Sequence, residues 1–298
     1  MKRVLVFAVS ALVLFLAGWC WLALYPALPV DLGGVSSMDG EARLVRVPVA
    51  DRDTLDAWYV AGSEPAVVIL FHGFGRNHQR MWRYGQFLRK AGYHVLVPEF
   101  RSARERKRLP TTLGVHEAAD AEAIYGWVHA QPELRGHVIG VFGESLGGSV
   151  ALRLAAEHSD IDAIVDDSGF ANGERAIADG FKSFFLPPWP FTPLARWFGE
   201  RVTGYDAGAT DALAAAATLS DRPIFFIHGA NDRRVSPAQT RALWEAAGSD
   251  DSLWVVPGAG HCEGWKRERA AYEQRVTTFL DEHLLLAWAR RNVGRGIR

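Results

Sequence analysis

Short uninterrupted apolar runs alternate along this chain with longer segments of mixed polarity. Ala66 to Phe71 reads Ala-Val-Val-Ile-Leu-Phe with no polar break, which predicts a strand buried on both faces. Tyr93 to Val97, Val138 to Phe142, Ile161 to Val165, Pro223 to His228 and Ser252 to Val256 predict further strands. The intervening segments predict helices over His78 to Ala91, Val115 to Ala130, Pro237 to Ala247 and Trp265 to Trp288, with another directly after Ser145. Strands that alternate with helices of this length predict an α/β fold, a mainly parallel sheet with helices on both faces. Two alternating segments, Leu44 to Val49 and Leu55 to Val60, flank Asp51-Arg52-Asp53 and predict an antiparallel hairpin at a sheet edge.

The first residues follow another pattern. Met1-Lys2-Arg3 precedes Val4 to Leu24, an apolar run interrupted only by Ser10, Gly18 and Cys20. About 20 apolar residues span a bilayer as a helix, and Trp19, Trp21 and Tyr25 suit the membrane–water interface at its end. Lys2 and Arg3 place its start on the cytoplasmic side. The expectation is an N-terminal transmembrane helix, a single-pass anchor with the remainder extracytoplasmic (periplasmic or extracellular). Secretion after signal cleavage is the alternative. Pro26 to Gly40 reads as a linker. The expected organisation is residues 1–30 as anchor or signal, 31–290 as one domain, and 291–298 as a basic tail.

Composition narrows the partners. The 298 residues carry 33 basic and 34 acidic side chains, net −1, which argues against nucleic acid. Cys20 and Cys262 form neither a disulfide framework nor a metal motif. Residues of about 168–222 are too long for a plain connection and carry Phe170, Phe181, Phe184, Phe185, Trp189, Phe191, Trp197, Phe198 and Tyr205. They predict a small helical cap whose aromatics line an acyl pocket or form the cap's own core. Pro98 to Pro110 is a loop with Arg101, Arg104, Arg106, Lys107 and Arg108, either a solvated face or a surface for anionic groups or lipid.

The candidate chemistry centres on Gly143-Glu144-Ser145-Leu146-Gly147, between a predicted strand and a predicted helix. A serine on a sharp strand-to-helix turn lifts its hydroxyl above the sheet edge. That hydroxyl needs a base and a group to orient the base. His261 follows the last predicted strand in Val-Pro-Gly-Ala-Gly-His, and Asp232 follows the preceding strand in His-Gly-Ala-Asn-Asp. Asp166 and Asp167 are rival acids at the end of a neighbouring strand, and an N-cap or a salt bridge to Arg233 or Arg234 is another role for Asp232. An oxyanion hole requires backbone N–H donors. Leu146, after the serine, and Phe74, after His72-Gly73, are the candidates. His72 is read as a loop-ordering residue.

With these residues assembled, the chain resembles the α/β-hydrolase superfamily, in its serine aminopeptidase, lysophospholipase and prolyl-oligopeptidase-like branch. The collinear matches are F-H-G-F-G-R-N, Y-H-V-L-V-P-E-F-R, G-V-H-E-A-A-D, V-F-G-E-S-L-G-G, I-V-D-D-S, F-F-I-H-G-A-N-D-R-R-V and V-P-G-A-G-H, over roughly residues 45–285. The resemblance implies a Ser145, Asp232 and His261 triad, with Phe74 and Leu146 as oxyanion donors and no metal or organic cofactor. Where many relatives carry a Gly-His-Gly-Ser turn near Phe100, this chain has Arg101-Ser102-Ala103-Arg104-Glu105. The expected function is a membrane-anchored serine hydrolase acting on a small-molecule or lipid-like carboxylic ester or thioester with an apolar acyl part. The alternatives are an aminopeptidase or amidase on the same triad, and a catalytically inactive binding module.

Overall fold

The computed structural model describes residues 2–26, 42–50, 53–104, 109–248 and 253–293. Among them, the strands are β1 (Arg43–Val49), β2 (Asp53–Val60), β3 (Ala66–Phe71), β4 (His94–Pro98), β5 (Val138–Glu144), β6 (Ile161–Asp167), β7 (Ile224–Gly229) and β8 (Leu253–Val256). They form one sheet in the order β1-β2-β4-β3-β5-β6-β7-β8. The β1–β2 hairpin pairs antiparallel to β4 at one edge, and every pairing from β4 to β8 is parallel. The chain reverses its direction of travel across the sheet after β4, so β3 and β5 are neighbours. Loops at the carboxyl ends of strands beside such a reversal frame a crevice.

The helices are α1 (Lys2–Leu24), α2 (His78–Lys90), α3 (Val115–Ala130), α4 (Leu146–Glu157), α5 (Gly173–Ser183), α6 (Pro188–Thr203), α7 (Ala212–Ala216), α8 (Pro237–Ala247), α9 (Gly264–Arg267), α10 (Arg269–Leu280) and α11 (Leu286–Val293). Strand residues alternate between the two faces of a sheet. Accordingly Val67, Ile69 and Phe71 join a core with residues of α3, α4, α7 and α8, while Ala66, Val68 and Leu70 join one with α2 and α10. Both faces are covered, which is why these strands lack a polar alternate. Each fully buried large aliphatic or aromatic side chain contributes roughly 1.5–3 kcal/mol.

Helix ends follow local chemistry. Ser236 caps α8 by accepting from the Ala238 N–H, Pro237 occupies the first turn, and Gly248 closes it in the left-handed region. Glu117, wholly buried in α3, accepts from the Gly114 N–H and from the hydroxyls of Ser102, Thr111 and Thr112. One carboxylate therefore fixes the loop before α3.

The C-terminal helix differs from the expected single helix over Trp265 to Trp288. It breaks at Glu268, and a π turn spans Asp281–Leu285 between α10 and α11. Tyr272, Val276, Leu280 and Leu284 are all buried at intervals of four. An α-helix of about 3.6 residues per turn drifts away from that spacing. The wider π turn restores Leu284 to the sheet, where it packs on Gly140.

The cap comprises α5, α6, α7 and a short turn at Ala207–Ala209. Its aromatics divide between two roles. Phe181 is buried against Phe191, while Phe185, Trp189 and Trp197 are exposed, Phe185 by 91%.

At the N-terminus the chain is helical over Lys2–Leu24. Among the described residues no helix is long and apolar enough to cross a membrane, so the expected transmembrane span gains no support there. Most α1 side chains before Ala17 lie outside those residues. The end of α1 packs on the domain: Trp19 meets Phe184 edge-on with centroids 4.4 Å apart, and the Leu24 carbonyl accepts from Thr111 N–H at 2.9 Å. The expected linker after Pro26 and the end of the basic tail lie outside the described residues. In the basic loop, Arg101 is paired with Asp120 and Arg104 with Asp53, while residues 105–108 lie outside the description.

Candidate active site

The carboxyl end of β5 delivers Ser145 into the first turn of α4 with φ 56° and ψ −115°. That left-handed φ is uncommon outside glycine and signals a backbone held by its surroundings. The surroundings are close. A Cβ on Gly147 would lie 2.1 Å from the Phe71 carbonyl oxygen, and one on Gly143 would lie 2.1 Å from Gly147. Only glycine lets the first turn of α4 pass over the ends of β3 and β5 this tightly.

The structure brings Ser145, His261 and Asp232 into one line. The Ser145 hydroxyl donates to His261 Nε2 at 2.9 Å, and His261 Nδ1–H donates to Asp232 Oδ2 at 2.6 Å. Two backbone donors hold the other oxygen of the Asp232 carboxylate. The backbone N–H groups of Arg234 and Val235 reach Oδ1 at 2.8 and 3.0 Å. His228 Nε2–H points at the Val235 carbonyl and lies 3.1 Å from Asp232 Oδ2, while its Nδ1 accepts from the Thr240 hydroxyl. Burial alone would raise the Asp232 pKa, but His228 and His261 outweigh it and hold the carboxyl well below the ordinary range. His228 is pulled down by burial and raised overall by Asp232.

Of the rival acids, Asp167 accepts from the hydroxyls of Tyr272 and Ser168, and Asp166 from the Gly169 N–H. Burial pushes Asp166 up to about 7 against the pull of His228, and it raises Asp167, with Glu144 adding to the effect. His261 Nδ1 points to Asp232 and not to either rival.

Phe74 and Leu146 flank the serine. Leu146 begins α4 directly after it. The Phe74 loop passes so close that a Cβ on Gly73 would lie 3.2 Å from the Ser145 Cβ. His72 fixes this loop: Nδ1–H donates to the Gly73 carbonyl at 2.9 Å, and Nε2 accepts from the Phe100 N–H at 3.1 Å. Burial lowers its pKa, which suits the neutral form. His72 therefore orders the loop, as its position suggested.

Sequence reasoning missed a second layer of contacts. Glu144, buried beside the serine, accepts from Arg80 Nε and Arg83 Nη2, both at 2.9 Å, and from the Tyr84 hydroxyl at 3.1 Å. The same arginines donate to the Cys262 carbonyl at 3.0 and 3.3 Å. Arg80 and Arg83 thus tie the serine turn to the loop that carries His261, where Cys262 itself has φ 53°. The available signal was the pair of arginines three apart on α2, one helix face. His228 was signalled only by lying four residues before Asp232.

Ser145 and His261 line a cavity of about 770 Å³, within the range of small-molecule sites. Phe170, Phe181, Phe184 and Tyr205 of the cap segment line it, as do Trp19, Ala23 and Leu24 of α1. Of the aromatics proposed for an acyl pocket, Phe185, Trp189, Phe191, Trp197 and Phe198 do not. Among the described residues no cluster of three or more His, Cys, Asp or Glu is placed to hold a metal ion.

Comparison with known proteins agrees with this fold. A family model described as the alpha/beta hydrolase family matches residues 68–271. The chain is 27% identical over 239 residues to the uncharacterized protein YqkD of Bacillus subtilis, covering 79% of this chain and 78% of that one. It is 32% identical over 108 residues to a thermostable monoacylglycerol lipase of a Bacillus species, covering 36% and 42% of the two chains. Among solved structures it resembles the Pyrococcus furiosus esterase Pf2001, with a TM-score of 0.73 and 26% identity over 88% of this chain and 98% of the other.

Removing Glu144 strands two guanidinium groups and a phenol in a largely buried site. Glu144→Ala is expected to lower unfolding free energy by about 3–5 kcal/mol, read from urea melts with an unchanged slope. A loss under about 1 kcal/mol would show that the arginines do not depend on this carboxylate.

Proposed function

The chain belongs to the alpha/beta hydrolase family and is a hydrolase, and from that premise we propose that it cleaves a carboxylic ester with an apolar acyl part through an acyl-enzyme on Ser145. The observation that carries this reading is the continuous line from Ser145 Oγ through the His261 imidazole to Asp232.

In this mechanism Ser145 Oγ attacks the ester carbonyl carbon while its proton moves to His261 Nε2. The C=O π pair moves onto oxygen, where the N–H groups of Phe74 and Leu146 receive the charge. One good donor of this kind is worth roughly 3–4 kcal/mol. Asp232 keeps the proton of His261 on Nδ1 and stabilises the imidazolium. Collapse of the tetrahedral species breaks the C–O bond to the alcohol, which leaves with the proton from Nε2. Water then attacks the acyl-enzyme carbonyl, gives its proton to His261 Nε2, and releases the carboxylic acid as that proton returns to Ser145 Oγ.

The ester preference rests on the aromatic lining of the cavity and on the esterase and lipase relatives. Membrane attachment belongs to the same proposal, with α1 as the anchor and the catalytic domain extracytoplasmic. Supporting it are the apolar sequence of α1 and the exposed aromatics beside its end. Phe184 packs on Trp19, and Trp21, Phe185, Trp189 and Trp197 are all more than half exposed. Exposed aromatics of this kind suit a membrane interface.

A fluorophosphonate probe is expected to label the wild type, and p-nitrophenyl esters of medium chain length to be hydrolysed. Ser145→Ala should abolish labelling and, like Asp232→Asn, cut kcat by about 10³-fold or more. Labelling of folded Ser145→Ala at the wild-type level would reject the nucleophile, and faster turnover of aminoacyl p-nitroanilides would reject the ester preference.

In sealed right-side-out vesicles, added protease is expected to digest the domain after residue 30. Full protection would reverse the topology, and recovery of a soluble domain lacking α1 would remove the tether.

A further inference from the structure

One carboxylate oxygen of the triad serves two imidazoles. His261 Nδ1–H donates to Asp232 Oδ2 at 2.6 Å, and His228 Nε2 lies 3.1 Å from the same oxygen. His228 is wholly buried near the end of β7, and its Nε2–H is shared with the Val235 carbonyl at 3.0 Å. The other ring nitrogen has a neighbour that suits either charge state. His228 Nδ1 and the hydroxyl of Thr240 on α8 are 2.6 Å apart, and that hydroxyl lies 3.4 Å from the Gly169 carbonyl. A hydroxyl both donates and accepts. With His228 neutral, Thr240 donates to Nδ1. With His228 charged, Nδ1–H donates to Thr240 Oγ1 and the hydroxyl proton turns to Gly169. Neither ring nitrogen is orphaned in either state, so this buried side chain can gain and lose a proton in place.

Carboxylates face His228 from two elements, Asp166 and Asp167 on β6 and Asp232 on the loop after β7. The loop after β8 brings His261 to the shared oxygen, while β8 itself pairs through Val255 and α8 presents Thr240, neither of them ionisable. Burial lowers the His228 pKa, and Asp232, the Val235 carbonyl and Asp167 outweigh it and raise it overall. A cation at His228 offsets part of the charge that Asp232 presents to His261. A second cation on the same carboxylate is then disfavoured, and the two rings take up protons at separated pH.

We propose that His228 is a positioning residue whose charge on Asp232 Oδ2 keeps His261 free to act as the base at acid pH. The working range then extends to lower pH, at some loss of the support that Asp232 gives to the His261 imidazolium in the transition state. This rests on the serine-hydrolase reading above for the catalysis, whereas the coupling of the two rings through Asp232 stands without it.

The test uses the full chain in detergent micelles with p-nitrophenyl octanoate, followed at the nitrophenol isosbestic wavelength from about pH 4.5 to 9, where kcat/KM reports the free enzyme. The acidic limb of the wild type is expected to rise in two steps with a shoulder between them. In His228→Gln, whose amide keeps an uncharged donor near the Nε2 position, it should become a single step about one pH unit above the lower wild-type step. Thr240→Val, which removes the acceptor that a charged His228 needs, should move the limb in the same direction. Imidazole nitrogen-15 NMR shifts of Ser145→Ala give a reading that needs no turnover. His228 is expected to gain its second proton above the ordinary 6.5, and adding Asp232→Asn should lower that midpoint by about one unit or more. A limb that wild type shares with folded His228→Gln and Thr240→Val overturns the proposal, as does a His228 ring that stays neutral down to about pH 5. Asp232-dependent charging of His228 without turnover of the ester supports the coupling and overturns the hydrolase chemistry instead.

Discussion

The site depends on one steric constraint, the passage of the first turn of α4 across the carboxyl ends of β3 and β5. Gly147 lies against the Phe71 carbonyl and Gly143 against Gly147 with no room for a side chain. This contact forces the left-handed φ of Ser145 and points its hydroxyl to the loops above the sheet. It also brings the Phe74 loop beside the serine. The parallel sheet makes the arrangement possible, because β3, β5, β6, β7 and β8 all end on the same side. Phe74, Ser145, Asp232 and His261 follow β3, β5, β7 and β8 in turn, and Asp166 lies near the end of β6.

Electrostatics hold what sterics begin. Several carboxylates lie buried around the elbow, and each has its own partners. Glu144 is matched by Arg80 and Arg83, Asp167 by two tyrosines and Ser168, and Asp232 by two histidines and two backbone N–H groups. The consequences diverge. Asp232 is held ionised, whereas Asp166, with a single donor on one oxygen, is pushed up to about 7. Such opposed environments sort neighbouring acids into different roles.

The strands and the three aligned residues were legible in the sequence because each has a local signature. Buried strands are unbroken apolar runs, and Ser145, Asp232 and His261 each sit in a Gly-containing turn just beyond one. The helix over Val115–Ala130 was equally clear. Features that depend on long-range packing were not. Arg80 and Arg83 bind Glu144 more than sixty residues away. The break at Glu268 and the π turn answer to the sheet beneath them. The cap was readable as a unit, but not which of its aromatics face inward, because Pro-rich segments carry no reliable helical period. Nor did the apolar N-terminal run disclose that its last turns wall the cavity.

The central claim is that Ser145 becomes transiently acylated with His261 and Asp232 as its relay. Rapid acid quench of the enzyme mixed with p-nitrophenyl octanoate, followed by peptide mass spectrometry, tests it directly. The account predicts an octanoyl adduct (about 126 Da) on the peptide containing Ser145, formed with a burst of p-nitrophenol. Hydrolysis at the wild-type rate with no adduct on Ser145, or with the adduct on another residue, would contradict it.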